Sequence, residues 1–226
     1  MLQALAPDLW HVPYAFVTMG IPMASRMTVI RLRDARLWLH SPVPISSGLR
    51  DELLALGPVA YVVAPSKAHH LFAGDCASTF LGAQLFGAPG LAAKRADLRG
   101  LRTLQATGEP EWQDELEQRL FEGIPLANEV VWFHKPTRTL ILTDLCQWWQ
   151  GPLPVPAALL AHLTGVRKQL AVPRTMRLLT KDRRAAQRSA RAILEWPFER
   201  VMMTHNAIIE RDAHAAVAAA FSVFRV

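Results

Sequence analysis

Residues 58–74 read PVAYVVAPSKAHHLFAG. The run from Val59 to Ala64 is apolar at every position, the composition of a strand buried on both faces, as a parallel sheet in an α/β fold requires. Pro65 ends it, because proline has no N–H to give to the ladder. His69 and His70 then open a small-residue helical stretch, HHLFAGDCASTFLG. Adjacent side chains on a helix point about 100° apart, so packing does not call for two neighbouring imidazoles. Either one of them is exposed, or both are held at the mouth of a site.

Working outward, the same grammar recurs. LWHVPYAFV, MTVIRLRD and ARLWLHSPV alternate as strands, with Arg33–Arg36 as the turn between the last two. Ser46-Ser47-Gly48 precedes a short helix, RDELLALG, which Gly57 stops. AQLFGAPGL reads as a short strand and a Pro-Gly turn. LRTLQA is a further strand candidate, and EWQDELEQRL is expected to form a helix or turn. EVVWFH and TLILTDL are strands joined by the turn KPTR. After the connection GPLPVP comes a helix, AALLAHLTGV. Thr180 is expected to N-cap the helix KDRRAAQRSARAILE, which must end by Trp196-Pro197. ERVMMTHN reads as a last buried strand and RDAHAAVAAAFSVF as a closing helix. No repeat, low-complexity tract or long linker interrupts the series, so one α/β domain over 1–226 is expected.

Half of the 226 residues are hydrophobic and 19% are charged, the balance of a packed globular chain rather than a disordered one. No apolar run approaches the ~20 residues of a membrane span. MLQALAPDLWHVPY has no basic region before an apolar one, so no secretory signal is read. Cys76 and Cys146 are the only cysteines, which excludes a disulfide scaffold and fits reduced thiols in a cytoplasm. The net charge of +6 is local. Between Val166 and Arg200 stand ten Lys/Arg against three acids, a net +7, which leaves −1 for the rest. A basic segment of this kind is most often a solvated helix face, but it also suits an anionic partner.

Three apolar strands run directly into His or Asp: VVAPSKAHH, TLILTDL and VMMTHN. Sites in α/β sheets are assembled at such strand ends, and histidines with one carboxylate are a usual zinc or iron ligand set. Each residue alone has a plain structural alternative, as a helix-start polar group, a loop acceptor or a satisfied strand-end histidine.

In order and spacing, APDLWHV, RMTVIRL, LWLHSP, YVVAPSKAHHLFAG, APGL, EVVWFH, RTLILTDL and THNAII resemble the metallo-β-lactamase superfamily. They resemble more closely a domain-of-unknown-function family placed within that fold. The resemblance implies an αββα sandwich. It also implies a degenerate metal motif. The superfamily's H-x-H-x-D-H falls on Pro65–His70, so Pro65 and Lys67 replace its first two histidines, His69 stands for the aspartate and His70 matches. Gly123-Ile124-Pro125 offers no third histidine, whereas Asp144 and His205 match the bridging aspartate and the last histidine. The first-metal site is therefore lost. The second could hold one Zn²⁺ or Fe²⁺ on His69, His70, Asp144 and His205, with Asp144 orienting a water and Lys67 stabilising an oxyanion.

The function so implied is a metallo-hydrolase-like protein with at most one metal, acting on an ester, thioester or phosphodiester. Two rivals stand beside it: an inactive pseudoenzyme used as a binding module, and a nucleic-acid-associated protein using the 166–200 segment, where Arg184, Arg188 and Arg191 share a helix face. No membrane partner is expected. His134 is read as a supporting or rim residue, Cys146 as a packed thiol, and Trp148 and Trp149 as either pocket walls or core anchors. His11, His40, His162 and His214 have no site context.

Overall fold

The computed structural model describes residues 1–18 and 20–226. Strands β1 (Gln3–Ala6), β2 (Leu9–Thr18), β3 (Ile21–Arg31) and β4 (Leu37–His40) form an antiparallel meander. The β3–β4 turn is held by the Asp34 carboxylate, which accepts from the Arg36 amide. Strands β5 (Val59–Ala64), β6 (Gln84–Gly87) and β7 (Arg102–Thr103) then add in parallel, giving a seven-stranded sheet in the order β1 to β7. Parallel neighbours need crossovers, and these carry α1 (Ser47–Leu56), α2 (Ala73–Thr79) and α3 (Leu91–Lys94).

The second sheet has five strands in the order β12-β11-β10-β9-β8. Strands β8 (Leu116–Leu120), β9 (Val130–His134) and β10 (Thr139–Leu142) are antiparallel. β11 (Arg200–Met203) lies parallel to β10, and β12 (Ile208–Ile209) closes the edge. The long return from β10 to β11 contains α4 (Val155–Thr164), α5 (Arg174–Leu179) and α6 (Arg183–Leu194), and α7 (Ala213–Phe221) follows β12.

Strand periodicity sorts the side chains into layers. In β9, β10 and β11, Val130, Trp132, Ile141 and Met202 face the other sheet, where they meet Ile30, Trp38, Tyr61 and Val63. Their alternate neighbours Val131, Phe133, Leu140, Leu142, Val201 and Met203 face outward onto α6 and α7. Val62 and Ala64 of β5 likewise face the helices on the outside of the larger sheet. The layers are thus helix, sheet, sheet, helix: the αββα sandwich expected.

Local chemistry departs from the sequence reading at three places. The cap of α6 is Asp182, not Thr180: Asp182 Oδ1 accepts from the amides of Arg184 and Ala185 at 3.0 Å each. A carboxylate outcompetes a hydroxyl at the positive end of a helix, and Thr180 instead donates to the Met176 carbonyl at the end of α5. The stretch 111–120 forms the turn over 111–115 but no helix; its second half is β8, a strand that buries a glutamine. Gln118 Oε1 accepts from both Trp112 and Trp132 Nε1 at 3.1 Å, so an inward polar residue replaces the apolar one that would have marked the strand. α5 was not foreseen, because its six residues include no buried one.

Gly123 fixes where α6 begins. Its carbonyl accepts from the Lys181 and Asp182 amides, its φ is +89°, and a Cβ there would lie 2.3 Å from the Asp182 carbonyl oxygen. We expect Gly123→Ala to cost at least about 2 kcal/mol, from left-handed strain and that clash together. Gly48→Ala, inside α1 with nothing within 4 Å, should be neutral or stabilising by up to about 1 kcal/mol. Urea unfolding followed by circular dichroism measures both, and equal effects would contradict this account of the α6 start.

Candidate metal centre

Strands β4, β5, β10 and β11 run as two parallel pairs, β4 with β5 and β10 with β11. His69 follows β5, Asp144 follows β10 and His205 follows β11, and the fold brings these three together. One ligand atom from each lies within 4.8 Å of the others. His69 Nε2 is 3.1 Å from Asp144 Oδ2, and His205 Nε2 is 3.3 Å from Asp144 Oδ1. The edge of a tetrahedron with bonds of ~2.1 Å is ~3.4 Å, so donor atoms at these spacings suit one small cation.

Each of the three is positioned by a specific bond. After Pro65 the chain turns because Ser66 Oγ accepts from the amides of Ala68 and His69. His69 Nδ1 then meets Ser41 Oγ at 2.9 Å, beyond the end of β4. Asp144 is set by its backbone: the buried Glu129 carboxylate accepts from the amides of Thr143, Asp144 and Leu145 at 2.6, 2.9 and 2.9 Å. Asp144 Oδ1 also accepts from Gln147 Nε2 at 2.8 Å. His205 Nδ1 lies 2.8 Å from the Ala24 carbonyl of β3 in the other sheet.

That last bond fixes a tautomer. A carbonyl only accepts, so Nδ1 carries the hydrogen, and a neutral ring then aims the bare lone pair of Nε2 at a carboxylate oxygen. Two electron-rich atoms at 3.3 Å need positive charge between them, either a second proton on the ring or a cation. The electrostatics agree. Burial would raise Asp144, but the charges and hydrogen bonds of His69 and His205 outweigh it and hold the carboxyl well below its ordinary value. Burial would lower His205, yet its bonds to Asp144 and the Ala24 carbonyl raise it. Burial and the Asp144 charge together push Glu129 up to about 7. The Asp144 carboxylate thus sets the charge of the site, and it favours a cation beside it.

His70 does not join the cluster. Its Nδ1 sits 2.9 Å from Arg95 Nη1, because the turn that aims His69 at Asp144 sends its neighbour to the other side. Burial, with Lys94 and Arg95 nearby, lowers its pKa, so it acts as a neutral acceptor. Lys67 is not free to meet an oxyanion: Nζ donates to the Pro125 carbonyl at 2.9 Å. His134 ends a strand antiparallel to β10, hence at the opposite edge, and bonds Thr137 Oγ1 at 2.7 Å. Cys146 is a fully buried free thiol, its pKa raised well above the ordinary value by burial and Glu129. Trp149 does wall the site, its ring centre 6.5 Å from that of His205 and its Nε1 bonded to Gln147. His40 is buried among Trp38 and Trp132 with neither ring nitrogen partnered, and burial followed by the His69 charge lowers it to about 3. Sequence reasoning missed Ser41, Glu129 and Gln147. Only Glu129 left a trace, as an acid fused to the start of the apolar run VVWF.

Residues 8–154 match the model of a family described as Domain of unknown function (DUF4336). Among curated proteins no sequence match is found. Solved structures similar to the chain share the metallo-β-lactamase fold. A metallo-β-lactamase from Pontibacter korlensis is 13% identical, with 100% of this chain and 98% of that one covered at a TM-score of 0.64. The metallo-β-lactamase FIM-1 from Pseudomonas aeruginosa, in its mono-zinc form, is 9% identical over 98% and 94% at 0.65. The metal-soaked Flv1 flavodiiron core from Synechocystis sp. PCC6803 is 9% identical over 100% and 60% at 0.67.

Glu129→Gln keeps the side-chain volume but sets an amide NH₂ against backbone donors. We expect it to destabilise the fold by about 2–3 kcal/mol, the usual cost of unmaking a charge-assisted buried bond. Denaturant titration reads this loss; a variant as stable as the parent would show that Glu129 does not hold the Asp144 loop.

Proposed function

The chain belongs to the DUF4336 family, here built on the metallo-β-lactamase fold, and from that premise we propose that it is a metal-dependent hydrolase using a single ion. The observation that carries this reading is the His205 Nε2 lone pair directed at Asp144 while Nδ1 is committed to Ala24. The donor set fits: two imidazoles and a carboxylate, with the second nitrogen of each histidine bonded to a protein oxygen, the arrangement that orients metal-binding histidines. Three protein ligands would leave a fourth position open, as catalytic zinc sites do.

When bound, a zinc or iron ion supplies Lewis acidity, polarising a carbonyl or phosphoryl oxygen and lowering the pKa of water toward about 7. The chain's own groups do the rest. Asp144 holds the charge and accepts from Gln147, leaving Oδ2 toward His69. Beside His205, a cleft of about 190 Å³ is lined by Met23, Ala24, Trp149 and Leu153. Its apolar walls suit a small hydrophobic acyl or alkyl group and exclude water from one side of the site. The substrate class that fits is therefore an ester or thioester with a short apolar arm, hydrolysed in a cytoplasmic setting. No helix among the described residues is long and apolar enough to cross a membrane.

A second reading rests on the same contact: His205 doubly protonated and paired with Asp144, a binding module without metal. Elemental analysis of protein purified without added metal, then reconstituted with zinc or iron, separates the two. We expect close to one ion per chain. His205→Ala and Asp144→Ala should each abolish stoichiometric binding and His69→Ala should weaken it by at least about tenfold, the low end of effects from losing a ligand or its support. His70→Ala and His11→Ala should leave the stoichiometry unchanged. A parent protein that takes up no ion at neutral pH would favour the imidazolium pair.

A further inference from the structure

A second feature lies apart from the metal centre. Between α5, the first turns of α6 and the segment 223–225 runs a cleft of about 700 Å³, and five arginines line it: Arg174, Arg177, Arg183, Arg184 and Arg225. All five are exposed, and among the described residues the arginine ion pairs involve other arginines. Elsewhere on the surface Arg95, Arg138 and Arg200 each hold a carboxylate within 2.6–3.3 Å. The acid nearest in sequence, Asp182, is occupied in capping α6. From Leu145 to Lys181 the chain contains no Asp or Glu. Five guanidiniums without a carboxylate partner around one concavity repel one another at low salt, and a ligand with several negative charges relieves that repulsion by displacing the counterions.

The row continues past the cleft. Arg184, Arg188 and Arg191 lie on one exposed face of α6, a span of roughly 10 Å at ~1.5 Å per residue. A single phosphate would engage one or two of these cations and leave the rest unused, whereas a phosphodiester backbone offers one charge at every nucleotide. The cleft also exposes Leu178 and Val223, 85% and 40% accessible, which supply apolar surface for sugars or bases. We propose that this cleft and the α6 stripe bind a single strand of nucleic acid through its phosphate backbone, without sequence preference. The inference rests on the cleft alone and stands whether or not the metal reading does.

Fluorescence anisotropy of a labelled 15-nucleotide single-stranded RNA, titrated with the full chain over a salt series, tests it. Each neutralised phosphate of a single strand contributes ~0.7 to the slope of log affinity against log salt, so engagement of five cations gives a slope of roughly −3.5. The combined variant Arg177→Gln, Arg184→Gln, Arg225→Gln should weaken binding at least about tenfold and flatten the slope by about 2. A control of equal charge change at exposed positions elsewhere, Arg50→Gln, Arg99→Gln, Arg211→Gln, should stay within about twofold of the parent. Circular dichroism confirms that both remain folded. Equal weakening by the two variants would reduce the effect to net charge and overturn the site. So would absence of RNA binding at 50 mM salt, or retention by anionic phosphatidylserine vesicles in place of RNA.

Discussion

Everything at the His69–Asp144–His205 cluster depends on how two sheets are held face to face. The contact is aromatic: Trp38 of the larger sheet meets Trp132 of the smaller with ring centres 5.3 Å apart, and Trp112 bridges to Tyr61 and Phe86. All of these rings are buried, and the indole N–H groups of Trp112 and Trp132 share the Gln118 oxygen. Rigid rings at fixed spacing set the distance between sheets more firmly than aliphatic side chains would. That distance matters because His69 comes from one sheet and Asp144 and His205 from the other. The Ala24 carbonyl that orients His205 is likewise supplied across the gap.

The site is built outward from its backbone. Glu129 gathers three consecutive amides, so the loop bearing Asp144 has one arrangement, and Asp144 in turn aligns two imidazoles. Each layer of bonds satisfies buried donors while leaving the innermost atoms with excess negative charge. Glu129 is satisfied by three amides and Asp144 Oδ1 by Gln147, yet Asp144 still faces two imidazole nitrogens, an arrangement that favours a positive charge between them.

Much of this could be read in the residues. The apolar runs of β5, β9, β10 and β11 read as strands buried on two sides, whereas the sandwich was implied by the resemblance of the strand-end motifs to a known superfamily. Asp144 and His205 stood out because each ends such a strand. Reading both His69 and His70 as ligands was wrong for His70, since adjacent residues differ only in how a serine-capped turn points them, and that turn rests on Ser66. Ser41, Glu129 and Gln147 were invisible for another reason. Their roles depend on partners 28, 14 to 16 and 3 residues away through loops whose shape local patterns do not encode. β8 was obscured by its buried Gln118, a polar residue bonded to Trp112, Trp132 and the Gln105 carbonyl.

The bond between His205 and Ala24 joins residues 181 positions apart. A contact between residues so far apart is not formed locally and depends on the strands of both sheets being in place. No fragment that stops before residue 205 can assemble the centre, whatever secondary structure it has acquired. The full donor set for a cation exists only once the smaller sheet is complete, so an ion bound by all three groups would add its binding free energy to the finished fold.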